Sequence, residues 1–337
     1  MFEKLGTPKF LAEARTQGKR RSVLAVLFIV LILFGVGNVL QSAVLTPILY
    51  VMMLADPAYY DIVNGSYDST EEMAEAILGY TAALSEAPLV SILSLFLTAG
   101  TVAACIVYVK LIEKRSLASC GMRKEGAVPA YLRGLALGLL LFAVAISFSA
   151  LFGALRFTGI NPDFNPVYFV LLLLGFVIQG FAEELLCRGV LMVSTAKSAP
   201  LSYALLSSSI IFAMLHTPNS GFDFLSFVNL TLFGLLMGLY MIRGGSIWGA
   251  AALHAVWNFA EGVLIGFSVS GMKLPTHLIG AIPTEGMELF IGGTFGPEGG
   301  LGVTFSLAVA LALFAMTPTK SSMTETFTST TPPTDLQ

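Results

Sequence analysis

The apolar run from about Val167 to Val193 holds Glu183, Glu184 and Arg188 in its second half. Such a run is long enough to cross a bilayer as one helix, because the hydrocarbon core takes about 20 residues. An ionised side chain near the centre of such a helix costs roughly 2.5 to 3.5 kcal/mol on insertion scales, so these groups require partners inside the protein. Glu184 and Arg188 are four apart and share a helix face, where they pair; Glu183 points about 100° away and is free to meet another helix. An ion pair that only joins helices needs one carboxylate, and the sequence supplies two.

The rest of the chain is apolar in the same way. Of its 337 residues 55% are hydrophobic and 12% charged, with a mean hydropathy of +0.81. These values place it among polytopic membrane proteins, where length counts helices rather than globular cores. A net charge of −3 points to no nucleic-acid partner; the distribution of charge is more informative. Cys105, Cys120 and Cys187 lack metal-type spacing and suggest no disulfide framework.

Lys4, Lys9, Arg15, Lys19, Arg20 and Arg21 precede a first apolar stretch from Val23 to about Ala55. It is too long for a secretory signal and reads as a retained span, tilted or kinked around Asn38, Gln41 and Pro47. From Asp56 to Glu86 there are acids and no Lys or Arg, which predicts an external loop; Ser69-Thr70-Glu71-Glu72 within it predicts the start of a short surface helix. A second span over Pro88 to Val109 leads into a cytoplasmic loop with Lys110, Lys114, Arg115, Arg123, Lys124 and Arg133. Further spans follow at about Gly134–Leu155, Val167–Val193, Pro200–Leu215, Phe222–Ile242, Gly245–Ser268 and Leu301–Met316. The expected fold is therefore all-α, a polytopic membrane protein with about eight transmembrane helices. Both termini then face the cytoplasm, and the protein is expected in the plasma membrane. Residues 1–22 read as a basic cytoplasmic N-terminus, 23–112 as two helices with the acidic external loop, and 113–269 as the membrane core. Residues 270–317 read as an external loop with the last helix, and 318–337 as a disordered tail.

Four polar stations lie within these spans: Glu183-Glu184 with Arg188, Phe212-x-x-x-His216, His254-x-x-x-Asn258, and Glu261. At about 1.5 Å per residue, Glu183 sits about 18 Å and His254 about 14 Å from the cytoplasmic ends of their helices, with His216 deeper, so they are placed to meet in one pocket. A carboxylate and a neutral imidazole can deprotonate a water beside a carbonyl, while a second imidazole and an amide donate to the oxyanion. Such donors contribute roughly 2.7 to 4 kcal/mol each where water is excluded. Each station also has a plainer reading. His216 can cap helix carbonyls, His254 with Asn258 can bond helices together, and Glu261, near the outer end of its helix, reads as structural or surface. Trp248 and Trp257 read as interface anchors or packing.

The order Glu-Glu-x-x-x-Arg, Phe-x-x-x-His, His-x-x-x-Asn resembles the CAAX protease and bacteriocin-processing enzyme family of intramembrane glutamic endopeptidases, which includes the type II CAAX prenyl proteases. The matching stretches are Glu183–Arg188, Phe212–His216 and His254–Asn258, and the stretches Arg115–Met122 and Tyr131–Gly138 are similar to the family's entry into its core, so the resemblance covers about 113–269. It implies that Glu183 and His216 activate the hydrolytic water, that His254 and Asn258 bind the oxyanion, and that Glu184, Arg188 and Phe212 organise the pocket. It further implies a CAAX-protease-like core whose site opens toward the cytoplasm, and a membrane-anchored protein or peptide, lipidated or not, as substrate. The family has also been described as metalloproteases. No His-Glu-x-x-His helix is present, so no cofactor and no metal ligand is assigned, with a divalent ion left open. The competing readings are a non-catalytic membrane immunity or regulatory protein and an ion-coupled transporter.

Overall fold

A computed structural model describes residues 7–317, so the expected tail at 318–337 lies outside the described residues. The elements run α1 (Lys9–Thr16), α2 (Val23–Ala55), α3 (Pro57–Val63), α4 (Thr70–Ser85), α5 (Pro88–Leu97), α6 (Ala99–Val107), α7 (Ala127–Leu151) and β1 (Leu155–Ile160). Then come α8 (Pro166–Glu184), α9 (Val193–Thr195), α10 (Leu201–Leu215), α11 (Phe224–Gly244), α12 (Ile247–Phe259), β2 (Ile279–Pro283), α13 (Glu288–Ile291) and α14 (Leu301–Met316). Wider π-type turns continue α6 over Tyr108–Ile112, join α8 to α9 over Leu185–Met192, and extend α12 over Ala260–Leu264.

The fold is all-α apart from one antiparallel pair, β1 with β2, in register from Leu155 opposite Pro283 to Ile160 opposite Ile279 with a bulge between Phe157 and Gly159. Five helical stretches are long and apolar enough to cross a bilayer: Val23–Ala55, Pro88–Ile112, Ala127–Leu151, Pro166–Thr195 and Phe224–Gly244. α10 and α14 are apolar but shorter, and α12 reaches Leu264 only through its π turn. About eight apolar helical segments thus become five of full spanning length and three that lean on neighbours. The third begins at Ala127, seven residues before the expected Gly134, because Gly126 supplies a left-handed start and Pro129 is tolerated in a first turn. Arg133 is therefore inside the helix, exposed, its Nε donating to the Pro129 carbonyl at 3.1 Å.

Small residues set the packing. α7 lies so close to α12 that a Cβ on Gly134 would meet the Gly249 carbonyl oxygen at 2.1 Å, and one on Gly138 the Val256 Cγ1 at 2.5 Å. On the opposite flank a Cβ at Gly180 of α8 would lie 2.8 Å from the Ala255 nitrogen. α11 approaches α10 in the same way, with Gly234 against Ser209 and Gly238 against Leu205. Close backbone approach of this kind drives helix association where water does not. The result is that α12 occupies the middle, with every residue from Gly249 to Phe259 buried.

The two ends of the bundle differ. At the basic end, Glu113 takes Arg115 Nη2 at 3.0 Å, Ser194 Oγ and, at 3.5 Å, Lys197 Nζ, all of them buried. Lys197 also donates to the Gln17 and Lys19 carbonyls, and Arg15 to the Ala196 carbonyl. The N-terminal segment is thus more than a charged tail: α1 docks with Phe10, Leu11 and Ala14 buried. At the acidic end, Ser69 caps α4 as expected, accepting from the Glu72 nitrogen at 3.1 Å, and Glu86 pairs with Lys273 at 3.2 Å.

Gly134→Leu should wedge α7 off α12 and cost roughly 1 to 3 kcal/mol, as overpacking does. Gly35→Leu, where no atom lies within 4 Å of the added Cβ, should change little. Thermal melts of both variants in one detergent check the contrast.

Candidate active site

Glu183 and Glu184 close the regular part of α8, and the helix widens to π winding directly after them; α12 does the same two residues after Asn258. Widened turns of this kind collect at functional sites because they re-aim side chains. Glu184 and Arg188 are both fully buried, with Arg188 Nη1 3.0 Å from Glu184 Oε1. The same oxygen lies 2.9 Å from His254 Nδ1. A carboxylate only accepts, so Nδ1 of His254 carries hydrogen and its Nε2 faces the cavity.

His216 is fixed by the opposite device. It ends α10, where Nδ1 lies 2.8 Å from the Phe212 carbonyl oxygen, so Nδ1 again donates and Nε2 is turned outward. Both Nε2 atoms face one atom: Glu183 Oε2 is 3.8 Å from that of His216 and 3.7 Å from that of His254. Glu183 Oε2 has no hydrogen-bond partner among the described residues. Oε1 accepts a short bond from Gln179 Nε2, which orients the Gln179 amide, and Gln179 Oε1 then accepts from Asn258 Nδ2 at 3.1 Å. Phe212 is the wedge among these groups. Its ring is tilted against His216 with centroids 4.8 Å apart, meets His254 edge-on at 5.8 Å, and lies under the Arg188 guanidinium at 4.6 Å.

All seven residues singled out in the sequence therefore gather in one place; of the plainer readings, packing holds for both tryptophans and the surface alternative for Glu261 is corrected. Glu261 is not at the surface; it is fully buried, with neither carboxyl oxygen hydrogen-bonded. Trp257 is fully buried between Phe142 and Phe233, while Trp248 stacks on Phe181 and donates to the Arg123 carbonyl. Gln179, Ser270 and Glu298 belong to the site region and were not singled out. Gln179 was findable as a polar residue four before Glu183 in an apolar run; the other two come from a loop whose return over the site carries no local signal.

Glu183, His216, His254 and Asn258 line a cavity of about 380 Å³. Gln41 of α2 and Ser94 and Thr98 of the second span form its flank, and Asn219, Ser220, Val269–Met272 and Glu298 form its roof. Those roof residues belong to loops at the acidic end. The cavity is thus built toward the acidic end of the bundle, while α1 and the Glu113 network cover the basic end.

A metal fits this constellation poorly. Among the described residues no group of three or more metal-type side chains converges. An ion about 2.0 to 2.1 Å from both Glu183 Oε2 and an imidazole Nε2 would open the angle between them to about 130°, away from tetrahedral. A water hydrogen-bonded to the same atoms at about 2.8 Å would subtend about 83°, so the missing third ligand among the described residues, rather than the angle, tells against a metal.

Residues 165–260 match the family of type II CAAX prenyl endopeptidases, Rce1-like. The match runs from the start of α8 to the end of α12 and contains all three motif stretches, though it is narrower than the 113–269 over which the resemblance was read. No curated protein and no solved structure matches the chain. The Rce1-like segment supports a CAAX-type intramembrane protease fold, and with the apolar helices it makes this an integral membrane protein.

Removing Arg188 while Glu184 stays buried should cost about 3 to 5 kcal/mol, because one partner's charge is left uncompensated. Arg123→Ala, which breaks a half-exposed pair with Glu13, should cost under about 1 kcal/mol. Denaturation in a common detergent compares the two.

Proposed function

We propose that the protein is an intramembrane endopeptidase of the glutamate type, hydrolysing a peptide bond in a membrane-anchored protein or peptide, lipidated or not. The observation that carries this reading is the single unpartnered oxygen, Glu183 Oε2, facing the Nε2 atoms of two imidazoles inside one cavity. A water in that gap gives one proton to Glu183, with His216 Nε2 as the second acceptor, and its oxygen attacks the substrate carbonyl carbon. The carbonyl oxygen becomes an oxyanion. His254 stabilises it as an imidazolium donating from Nε2, and Glu184 supports that cation as a carboxylate supports the histidine of a catalytic triad. Asn258 uses one amide hydrogen on Gln179 and keeps the other for the oxyanion. When the carbon–nitrogen bond breaks, the proton held by Glu183 and His216 passes to the amine.

Arg188 and Phe212 position these groups without touching the substrate. Arg188 neutralises Glu184, and Phe212 holds both rings at their working angle. No step requires a metal ion.

Purified Glu183→Gln protein should lose cleavage of a membrane-tethered peptide, and His216→Ala should lose it too, by roughly 100- to 10,000-fold for a positioned acid–base group. Wild-type activity should survive exhaustive chelation. Retained cleavage by well-folded Glu183→Gln protein ends the proposal, and loss of activity on chelation restored by added metal replaces it with a metal mechanism.

A further inference from the structure

The cavity roof holds a second acidic group that the hydrolytic scheme leaves unused. Glu298, 4% exposed, lines the cavity, and one of its oxygens accepts a short hydrogen bond from Ser270 Oγ. Its backbone is pinned from both sides. Asn229, itself buried, donates to the Glu298 and Gly300 carbonyls at 2.8 and 2.9 Å, and Thr304 holds the Asn229 amide oxygen. Gly296, at φ +99°, lets the loop pass so close to α12 that a Cβ there would lie 2.0 Å from the Ser268 carbonyl oxygen and 3.2 Å from Glu261 Oε1. That places the fully buried Glu261 carboxyl beside the Glu298 backbone and the Trp257 indole.

No Lys or Arg answers this pair; the positive charge nearby is that of the His216 and His254 imidazoles. The cavity lining contains no Lys or Arg, and neither carboxylate makes a salt bridge among the described residues. Arg188, over the Phe212 ring, pairs with Glu184 through Nη1 and does not line the cavity. The charged and titratable neighbours of Glu298 are Glu261 from the π turn, His216 from the end of α10, His254 from α12 and Glu183 from α8. Burial raises the Glu298 carboxyl above the usual carboxylate range. Two adjacent buried carboxyls without a Lys or Arg partner share a proton, because ionising both would leave like charges in a low-dielectric site. A rigidly mounted carboxyl on the wall of a cavity, with a second carboxyl buried behind it and no Lys or Arg in the lining, is a receptor for positive charge.

We propose that Glu298, backed by Glu261, is a specificity site that binds the ammonium or guanidinium of a Lys or Arg side chain in the peptide substrate, the cation taking the place of the shared proton. This rests on the reading of the cavity as the place where the peptide is held. It names what distinguishes the substrate: a basic residue on the acidic-end side of the bond to be cut. Because cation and proton compete for the pair, affinity for a basic peptide rises with pH, and a neutral peptide shows no such rise.

Affinity is measured on Glu183→Gln protein in detergent, which separates binding from turnover. The probes are two end-blocked peptides that differ only in Lys against norleucine. The Lys peptide should bind at least about tenfold tighter, as expected for a buried charge pair, and Glu298→Gln in the same background should abolish the preference. Between about pH 5 and pH 8 the preference should grow. Equal affinities, or a preference that survives Glu298→Gln, overturn the proposal. If the Glu298→Gln protein does not fold, calorimetry of the Lys peptide in buffers of different ionisation enthalpy decides: proton release supports the site and its absence overturns it. Wild-type protein that binds the Lys peptide tightly but cleaves no peptide defeats the protease reading and leaves this one standing. Wild-type protein that cleaves the norleucine peptide as readily as the Lys peptide defeats this one alone.

Discussion

One oxygen, Glu184 Oε1, joins the two helices on which the site depends. It holds Arg188 one turn along its own helix and His254 on α12, and all three side chains are withdrawn from solvent. In hydrocarbon none of these groups is tolerable alone, so each is present because the other two are. The arrangement also fixes chemistry. By taking the Nδ1 hydrogen of His254 it decides which ring nitrogen looks into the cavity, and it frees Glu183, one residue earlier, from any structural duty.

The packing around that oxygen is made of glycine and alanine. α12 can receive α7, α8 and α11 together only because Gly134, Gly138, Gly180 and Gly249 bring backbones to contact distance. The large side chains that remain, Trp257, Phe212 and Phe233, fill the space between helices and set the angles of the imidazoles. Stability and site geometry are thus the same set of contacts, and a change at the α7–α12 seam is felt at His254.

Much of this was legible in the residues. Polar groups in an apolar run declare themselves, and four-residue spacing predicts the Glu184–Arg188 contact from helix geometry. Charge asymmetry separated the two ends of the bundle. Less legible were features that depend on distant segments. Glu298 is over a hundred positions from Glu183, and nothing around Pro297-Glu298-Gly299 says that Asn229 will pin it over the cavity. The start of α7 was missed because Arg133 looked like a loop residue, whereas a long side chain at a helix end can reach outward while its backbone stays helical. The docking of α1 was hidden by its charge, since the three apolar residues that anchor it are too few to form a pattern.

α10 stops after fifteen residues, at His216, with Pro218 preventing any further turn. A helix that ends short of the far lipid surface leaves carbonyl groups where hydrocarbon would otherwise be, and these must be met by side chains, by the chain itself or by solvent. The Thr217 hydroxyl donates to the Met214 carbonyl and the Asn219 backbone N–H to that of His216. The truncation therefore opens that depth of the bundle: the chain leaves its helix at His216, and the space left beyond that turn is part of the cavity.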